Sequence, residues 1–456
     1  MEEKQRNVLN IIVIGLGQVG KYIADVLFKE KHNITLIDSD AGVLDEVGDT
    51  IDALTLVGNG ASAQNLALAE VSSSDLVIAV SSKDEVNLLG AAASKQLGAK
   101  RAIARVSGFD IWQSSQPVST GLLDIDLIIN IKMIAALEIV RLIRSMEAIL
   151  VEVFANNEVE AAQFRVDESS EIINTPLKDL DLPGECIVAS IVRDEKLIIP
   201  GGEDIITADD EVFVIGSIND IPRVGELLGG KGSVKQAERV VIVGGGEIGY
   251  WVAKALIGRG VDVMIIEKDR ERCVYLSETL DKATIINGDG TSAELLSEEH
   301  IENYDAFITL SNDDELNLMS ALLAKAVGAG KTIALVHKPD YGQLYEQIGI
   351  DATISPRILA AKHILKYTRE GALRQVSPIM GGQGEIIEIA AEEGSNITRK
   401  PLDKVGFPKG AVIGAVSGSD GVYIPRGGDT IKEGSSAVIF MLPKVRKRVL
   451  KLFQSG

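Results

Sequence analysis

The chain carries little that could do thiol, metal or acid–base chemistry. Its 456 residues include two cysteines and four histidines. Cys186 and Cys273 lie far apart without metal-ligand spacing, which excludes a disulfide framework, points to a reducing compartment, and leaves both as incidental buried thiols. None of the histidines (His32, His300, His337, His363) recurs in the matching part of the chain, and none sits in a recognisable carboxylate-supported motif. His32, in a KEKHN turn, and His363, on an amphipathic helix, are expected to face solvent. No nucleophile elbow, P-loop or metal cluster is present. Basic residues are also short: the formal net charge is −20, which argues against nucleic acid or anionic lipid as the main partner. No window has the roughly 18 apolar residues needed to span a bilayer. The longest candidate, LIINIKMIAALEIVRLIR, is interrupted by Lys132, Glu138, Arg141 and Arg144. The charged start MEEKQRN runs straight into a strand-type run, so a secretory signal is not expected and the protein reads as cytoplasmic.

What the chain has, it has twice. Asn10–Gly20 reads NIIVIGLGQVG and Arg239–Gly249 reads RVVIVGGGEIG. Each is an apolar strand-type run closing in G-x-G-x-x-G, followed at one common spacing by an acid, Asp38 or Glu267. The register continues through VGNGAS (57–62) with NGDGTS (287–292), Ser74–Leu89 with Tyr304–Met319, and Arg101–Val106 with Lys331–Val336. Ile125–Arg144 then matches Ile350–Arg369, with Asp126 and Asp351 equivalent. Repetition in register signals a duplicated module.

Within the first copy, apolar runs at 11–15, 34–38, 53–58, 75–80, 102–106 and 125–130 alternate with helical patterns. Short, near-continuous apolar runs suit parallel strands buried on both faces. The expected fold is α/β: two doubly wound Rossmann-type parallel sheets. In the fingerprint Gly15 permits the tight turn, Gly17 lets backbone approach a pyrophosphate, and Gly20 lets helix pack on strand. The helix N-terminus offers free N–H groups to phosphate. Asp38 would accept from ribose hydroxyls and repel a 2′-phosphate, favouring NAD or an adenosine nucleotide over NADP. Gly244, Gly246, Gly249 and Glu267 repeat the arrangement. The sites differ, however. Arg105 stands at the carboxyl edge of the fifth strand, where a guanidinium can pair with phosphate, whereas the second copy has Leu335. Ser81 and Ser82, matched by Ser311 and Asn312, either reach the ligand's sugar-phosphate or cap the following helix.

Each Rossmann unit is followed by about 80 residues of another texture, short alternating strands with turn signals. TPLKDLDLPGECIVASIV aligns with KPLDKVGFPKGAVIGAVS, which predicts two small α/β lobes. GGKGSVKQ (229–236) reads as a linker between halves, and MGGQGE (380–385) as a shorter joint within the second half. The lobes have too few polar signatures for a substrate domain. Ile131, Ile134, Ile139 and Leu142 give the helix after the sixth strand an apolar face, which either packs within its own lobe or serves assembly.

This order of domains resembles the TrkA family, regulatory subunits of Trk potassium-uptake systems built from RCK (regulator of K⁺ conductance) domains. The motifs that carry the resemblance are GLGQVG with Asp38, VGNGAS, AVSSKDEVN, IARV, PLKDLDLPGECIV and IIPGGEDII. It implies RCK N-terminal domains at 8–130 and 237–355, with RCK C-terminal lobes at 146–228 and 376–456. It implies a non-enzymatic, cytoplasmic subunit, peripheral on the inner face of the membrane. Such a subunit binds NAD(H), with ATP or ADP possible, and gates a TrkH/TrkG-like potassium transporter as a homotetramer. No nucleic acid and no direct lipid insertion are implied. Carried over, nucleotide contacts fall on Gly15, Leu16, Gly17, Gln18, Val19, Gly20, Asp38, Ser81, Ser82 and Arg105. In the second site they fall on Gly244, Gly245, Gly246, Glu247, Ile248, Gly249 and Glu267. The alternative reading is an NAD-dependent oxidoreductase with duplicated Rossmann domains.

Overall fold

The computed structural model describes residues 8–108, 123–146, 148–155, 158–229, 237–368, 373–418 and 421–455. Its first sheet is built from β1 (Asn10–Ile14), β2 (Asn33–Asp38), β3 (Leu54–Val57), β4 (Leu76–Ala79), β5 (Ala102–Val106) and β6 (Leu127–Asn130). All pairings are parallel and the strand order is β3-β2-β1-β4-β5-β6. The order reverses between β1 and β4, which is where ligands bind in doubly wound sheets. The helices are α1 (Gln18–Lys29), α2 (Ala41–Gly48), α3 (Ala63–Leu68), α4 (Asp84–Gln96) and, after β6, α5 (Ile131–Arg144). The four residues of β4 are fully buried, as the apolar-run argument requires.

A small antiparallel sheet follows: β7 (Ala148–Phe154), β8 (Val159–Arg165), β9 (Cys186–Arg193), β10 (Lys196–Ile198) and β11 (Glu211–Ser217), with α6 (Ile221–Leu228) against it. The second half repeats both units. Its Rossmann strands are β12 (Arg239–Val243), β13 (Asp262–Glu267), β14 (Ala283–Asn287), β15 (Ala306–Thr309), β16 (Lys331–Leu335) and β17 (Ala352–Ile354). Its helices are α7 (Glu247–Ile257), α8 (Arg270–Thr279), α9 (Ala293–Glu298), α10 (Asp314–Ala326), α11 (Pro339–Ile348) and α12 (Pro356–Thr368). The last sheet holds β18 (Leu373–Ile379), β19 (Gly384–Ala390), β20 (Ala411–Gly418), β21 (Gly421–Tyr423) and β22 (Ser436–Met441), with helices α13 (Asn396–Arg399) and α14 (Arg446–Phe453). The small sheets run β10-β9-β11-β8-β7 and β18-β19-β22-β20-β21, the same connectivity read from opposite ends.

The halves exchange their last Rossmann helices. Ala135, Ala136, Ile139, Val140, Leu142 and Ile143 of α5 lie in one buried cluster with Val240, Ile242, Val252 and Ile265 of the second unit. Ala360, Ala361 and Ile364 of α12 lie with Ile11, Val13, Ile23 and Leu36 of the first. Each large apolar side chain so buried contributes about 1.5–3 kcal/mol, so neither core is complete without the other half. This corrects the assembly argument from the apolar face of α5. Ile139 and Leu142 are covered by the second half, and Ile131 and Ile134 pack in the first core.

The small lobes are joined too. Phe154, Ala161, Ala189, Phe213 and Ile215 share a cluster with Ile386, Ala415, Val438 and Phe440, and the Phe213 and Phe440 rings are 5.6 Å apart. The segment read as a joint, 380–385, proves to be a hairpin turn at 380–383 and the start of β19: β18 and β19 pair antiparallel across it, so the lobe's sheet starts at Leu373. The expected linker at 229–236 lies outside the described residues beyond Gly229.

Candidate functional site

The glycine loops do what the fingerprint asks. Gly15 has φ +91° and Gly244 φ +99°, conformations that cost an L side chain dearly. A Cβ on Gly20 would stand 1.9 Å from the Gly15 carbonyl oxygen, and one on Gly249 2.1 Å from that of Gly244. Gly17 and Gly246 face open space, with nothing within 4 Å of where a Cβ would be. There the chain leaves room for a ligand beside the first turn of α1 or α7. Val19 and Gly20 are buried in the first turn of α1, while Ile248 packs at the edge of the second core.

The two acids sit identically despite their different lengths. Asp38 accepts from the Leu16 N–H at 2.6 Å and the Asp40 N–H at 3.0 Å. Glu267 accepts from the Gly245 N–H at 2.7 Å and the Asp269 N–H at 2.8 Å. Each carboxylate thus ties its glycine loop to the end of its second strand. Each oxygen retains a lone pair for a ribose hydroxyl.

Two buried asparagines organise the other wall, and sequence reasoning missed them. Asn87 is fully buried. Its Oδ1 accepts from Ser81 N–H (2.8 Å) and Ser81 Oγ (2.7 Å), while its Nδ2 donates to the carbonyls of Ser81 and Arg105, both at 2.9 Å. Asn317 makes the same backbone contacts with Ser311 and Leu335, without the bond from the serine Oγ. The signal available was the Asn held in register by DEVN and DELN. Ser81 Oγ is thereby engaged with Asn87 and the Lys83 turn, the helix-start alternative raised above, and Ser311 matches it around Asp313. Ser82 and Asn312 are exposed.

Beside these hubs, Asp84 accepts from the N–H groups of Ser107 and Gly108, and Asp314 from those of His337 and Lys338. His337 Nδ1 also lies 2.9 Å from Asp314 Oδ1. This histidine therefore does sit on a carboxylate, contrary to expectation, as does exposed His300, whose Nδ1 lies 3.2 Å from Glu302. Sequence could not show the His337 contact, because its two residues come from separate elements. The Asp314 carboxylate performs the same backbone job as that of Asp84, so the pair is an addition to an architectural contact. Burial alone would push the Asp314 carboxyl up. The N–H groups of His337 and Lys338 and the His337 ring outweigh it and hold the group below the usual carboxylate range. His32 is a second correction: its side chain is only 10% exposed, and Nδ1 accepts from the Leu9 N–H at 3.2 Å. Burial pushes the Cys186 thiol up to about 12 and also raises Cys273, so neither is a thiolate. Asp126 and Asp351 sit at the opposite sheet edge, accepting from Ala102 N–H and Thr332 N–H, and are structural.

The sites part company in charge. Arg105 is half-buried at the end of β5 and donates to Ser107 Oγ at 3.1 Å. Its Nε is buried with no partner, and it makes no ion pair among the described residues. Leu335, in its place, is 1% exposed in the apolar core. The second site instead has Arg272 of α8, which donates to the Gly245 carbonyl at 2.6 Å and lies over the Tyr275 ring. The residues opening α1 and α7 are each engaged from the other half: Gln18 Oε1 accepts from Arg357, and Glu247 pairs with Lys132 at 2.8 Å.

Among the described residues, no group of His, Cys, Asp and Glu is arranged to hold a metal ion, and no helix is long and apolar enough to cross a membrane.

Comparison with known proteins bears on this arrangement. The TrkA-N domain model matches residues 11–110 and 240–356, and the TrkA-C domain model residues 161–229. The Trk system potassium uptake protein TrkA homolog 1 of Methanosarcina mazei is 36% identical over 98% of this chain and 100% of its own length. The Trk system potassium uptake protein TrkA of Halomonas elongata is 34% identical over 98% of this chain and 99% of its own. Among solved structures, the GsuK channel bound to NAD superposes with a TM-score of 0.61 at 15% identity, covering 99% of this chain and 80% of that one.

Proposed function

The chain belongs to the TrkA family of Trk system potassium uptake proteins, and we propose that it is the nucleotide-binding regulatory subunit of such a system. In this reading it lies on the cytoplasmic face, held by a TrkH/TrkG-like membrane potassium transporter, as a homotetramer. It gates that transporter in response to NAD(H) and to ATP or ADP, and catalyses no reaction. The proposed domains are 8–130, 146–228, 237–355 and 376–456, the last reaching back to Leu373 with β18.

The observation that carries the reading is the first site's set of groups: the open approach at Gly17, Asp38 with lone pairs to spare, and Arg105 with a buried unpartnered Nε. A pyrophosphate at the N-terminus of α1 and ribose hydroxyls at Asp38 match these donors and acceptors. The bound nucleotide supplies the phosphate charge and hydroxyls that the site reads. That a channel with a similar fold binds NAD supports the choice of ligand class.

Gating requires that the ligand favour one arrangement of the halves over another. The exchanged helices connect the sites to the small lobes: Arg144 of α5 pairs with buried Glu160 of β8, and Lys362 of α12 pairs with Glu152 of β7 at 2.9 Å. A ligand that shifts either helix therefore acts on the lobes directly.

Calorimetric titration of the purified chain with NADH, ATP and ADP tests the reading. Binding with no consumption of NADH is expected, and pull-down from membranes should recover a potassium transporter. Steady oxidation of NADH with a simple carbonyl substrate would establish the oxidoreductase instead.

A further inference from the structure

The exchanged helices begin alike. Lys132 is the second residue of α5 and Arg357 the second of α12, at equivalent points of the repeat. Each reaches the mouth of the opposite half's glycine loop, at the first residue of the following helix. There the resemblance ends. Lys132 meets Glu247, and the two charges close an ion pair at 2.8 Å, with side chains 40% and 44% exposed. Arg357 meets the neutral amide of Gln18. It has no carboxylate within ion-pair distance and no other hydrogen-bond partner among the described residues. A guanidinium carries five N–H donors, so most of its capacity is unused. Burial opposes its charge, and the carboxylate favouring that charge, Asp314, is already committed to two backbone N–H groups.

The first site thus collects two under-satisfied guanidinium groups from opposite directions, Arg105 from its own sheet and Arg357 from the other half. The second site has Leu335 in place of the first and a neutralised Lys132 in place of the second. Arg357 lies at the N-terminus of α1, which itself favours anions, and Arg105 stands at the carboxyl edge of the same sheet.

We propose that Arg357 is a phosphate-binding residue of the first nucleotide site, contributed by the second half of the chain. The ligand class is a nucleotide with a diphosphate group, the feature that NADH and ADP share. Its charge is held from both sides, so occupancy of the first site tightens the contact between halves. Glu247 removes the matching cation from the second site. The inference rests on the nucleotide-binding reading above and concerns who supplies the charge.

The test is calorimetry of the full chain with NADH and, separately, ADP. Arg357→Ala should weaken the tightest event about ten- to hundred-fold, the scale of one hydrogen bond to a charged group. It should also reduce the weakening of binding by added salt, as loss of a phosphate-contacting cation does. Arg357→Lys keeps the charge without the fork and should fall between. Gln18→Glu copies the second site's ion pair and should weaken binding while leaving Arg357 in place, which guards against misfolding of the Ala variant. Lys132→Ala should leave the event within about twofold, since Glu247 already occupies that side chain. Unchanged affinity and salt dependence in Arg357→Ala, with binding lost in Asp38→Ala, overturns the role of Arg357 alone. Unchanged affinity in both variants overturns the first-site assignment with it.

Discussion

The two Rossmann units keep different things. What repeats faithfully is backbone-directed and at least partly buried: the positive φ of Gly15 and Gly244, the carboxylates of Asp38 and Glu267 on their loops, and the amides of Asn87 and Asn317. What differs lies at the carboxyl edge of the sheet or faces the other half: Arg105 against Leu335, Ser107 against His337, Gln18 against Glu247. The pattern has a physical reason. A buried polar group that loses its partner costs the whole domain, so those contacts cannot drift independently in either copy. A group at the mouth of a site affects only what binds there. Duplication therefore kept two frames and charged them differently: Arg105 and Arg357 at the first, Arg272 on the Gly245 carbonyl at the second.

The sharpest way to break this comparison is at the hubs. Asn87→Ala and Asn317→Ala each strand two carbonyls and at least one N–H, at about 1–3 kcal/mol per group. Each should lower stability by about 3–5 kcal/mol, read by denaturant unfolding, and by similar amounts. A large inequality would mean that the two frames are not equivalent.

The next largest effect tests the helix exchange. Ile139→Ala removes a fully buried side chain and should cost about 2–5 kcal/mol. Although Ile139 belongs to the first copy, amide protection should fall in the second sheet. Ile364→Ala should do the converse. Protection lost only in the residue's own half would contradict the exchange.

These effects mark the limit of what could be read beforehand. The alternation of strands and helices, the tight turn at each first glycine and the position of the two acids followed from apolar runs and the fingerprint, because those are local. The apolar face of α5 was legible too, but a stripe of Ile and Leu carries no address, and its partner lies across the chain. The Asn hubs were visible only as register-matched residues in a polar run. The Asp314–His337 contact joins the start of α10 to the end of β16 and has no sequence spacing to betray it. The turn at 380–385 was misread because glycines serve hairpins and linkers equally.

A smaller effect distinguishes the acidic anchors. Asp314 has a lowered pKa in the folded chain. It therefore contributes stability that is present above the ordinary carboxylate pKa and is lost as pH falls through the folded value. Asp314→Asn should be less stable than the parent near neutrality, and the gap should close on acidification, in melting curves taken across the carboxylate range. A gap that widens at low pH would show the sign to be wrong.

The account's central claim is that the first glycine loop is the charged, ligand-reading site and the second largely keeps its frame. The most direct measurement is a calorimetric NADH titration of Asp38→Ala beside Glu267→Ala. Asp38→Ala should lose the tightest event by about a hundredfold or more, given its ribose contacts and its anchor on Leu16, while Glu267→Ala should retain it. Retention in Asp38→Ala with loss in Glu267→Ala would reverse the assignment and contradict the account.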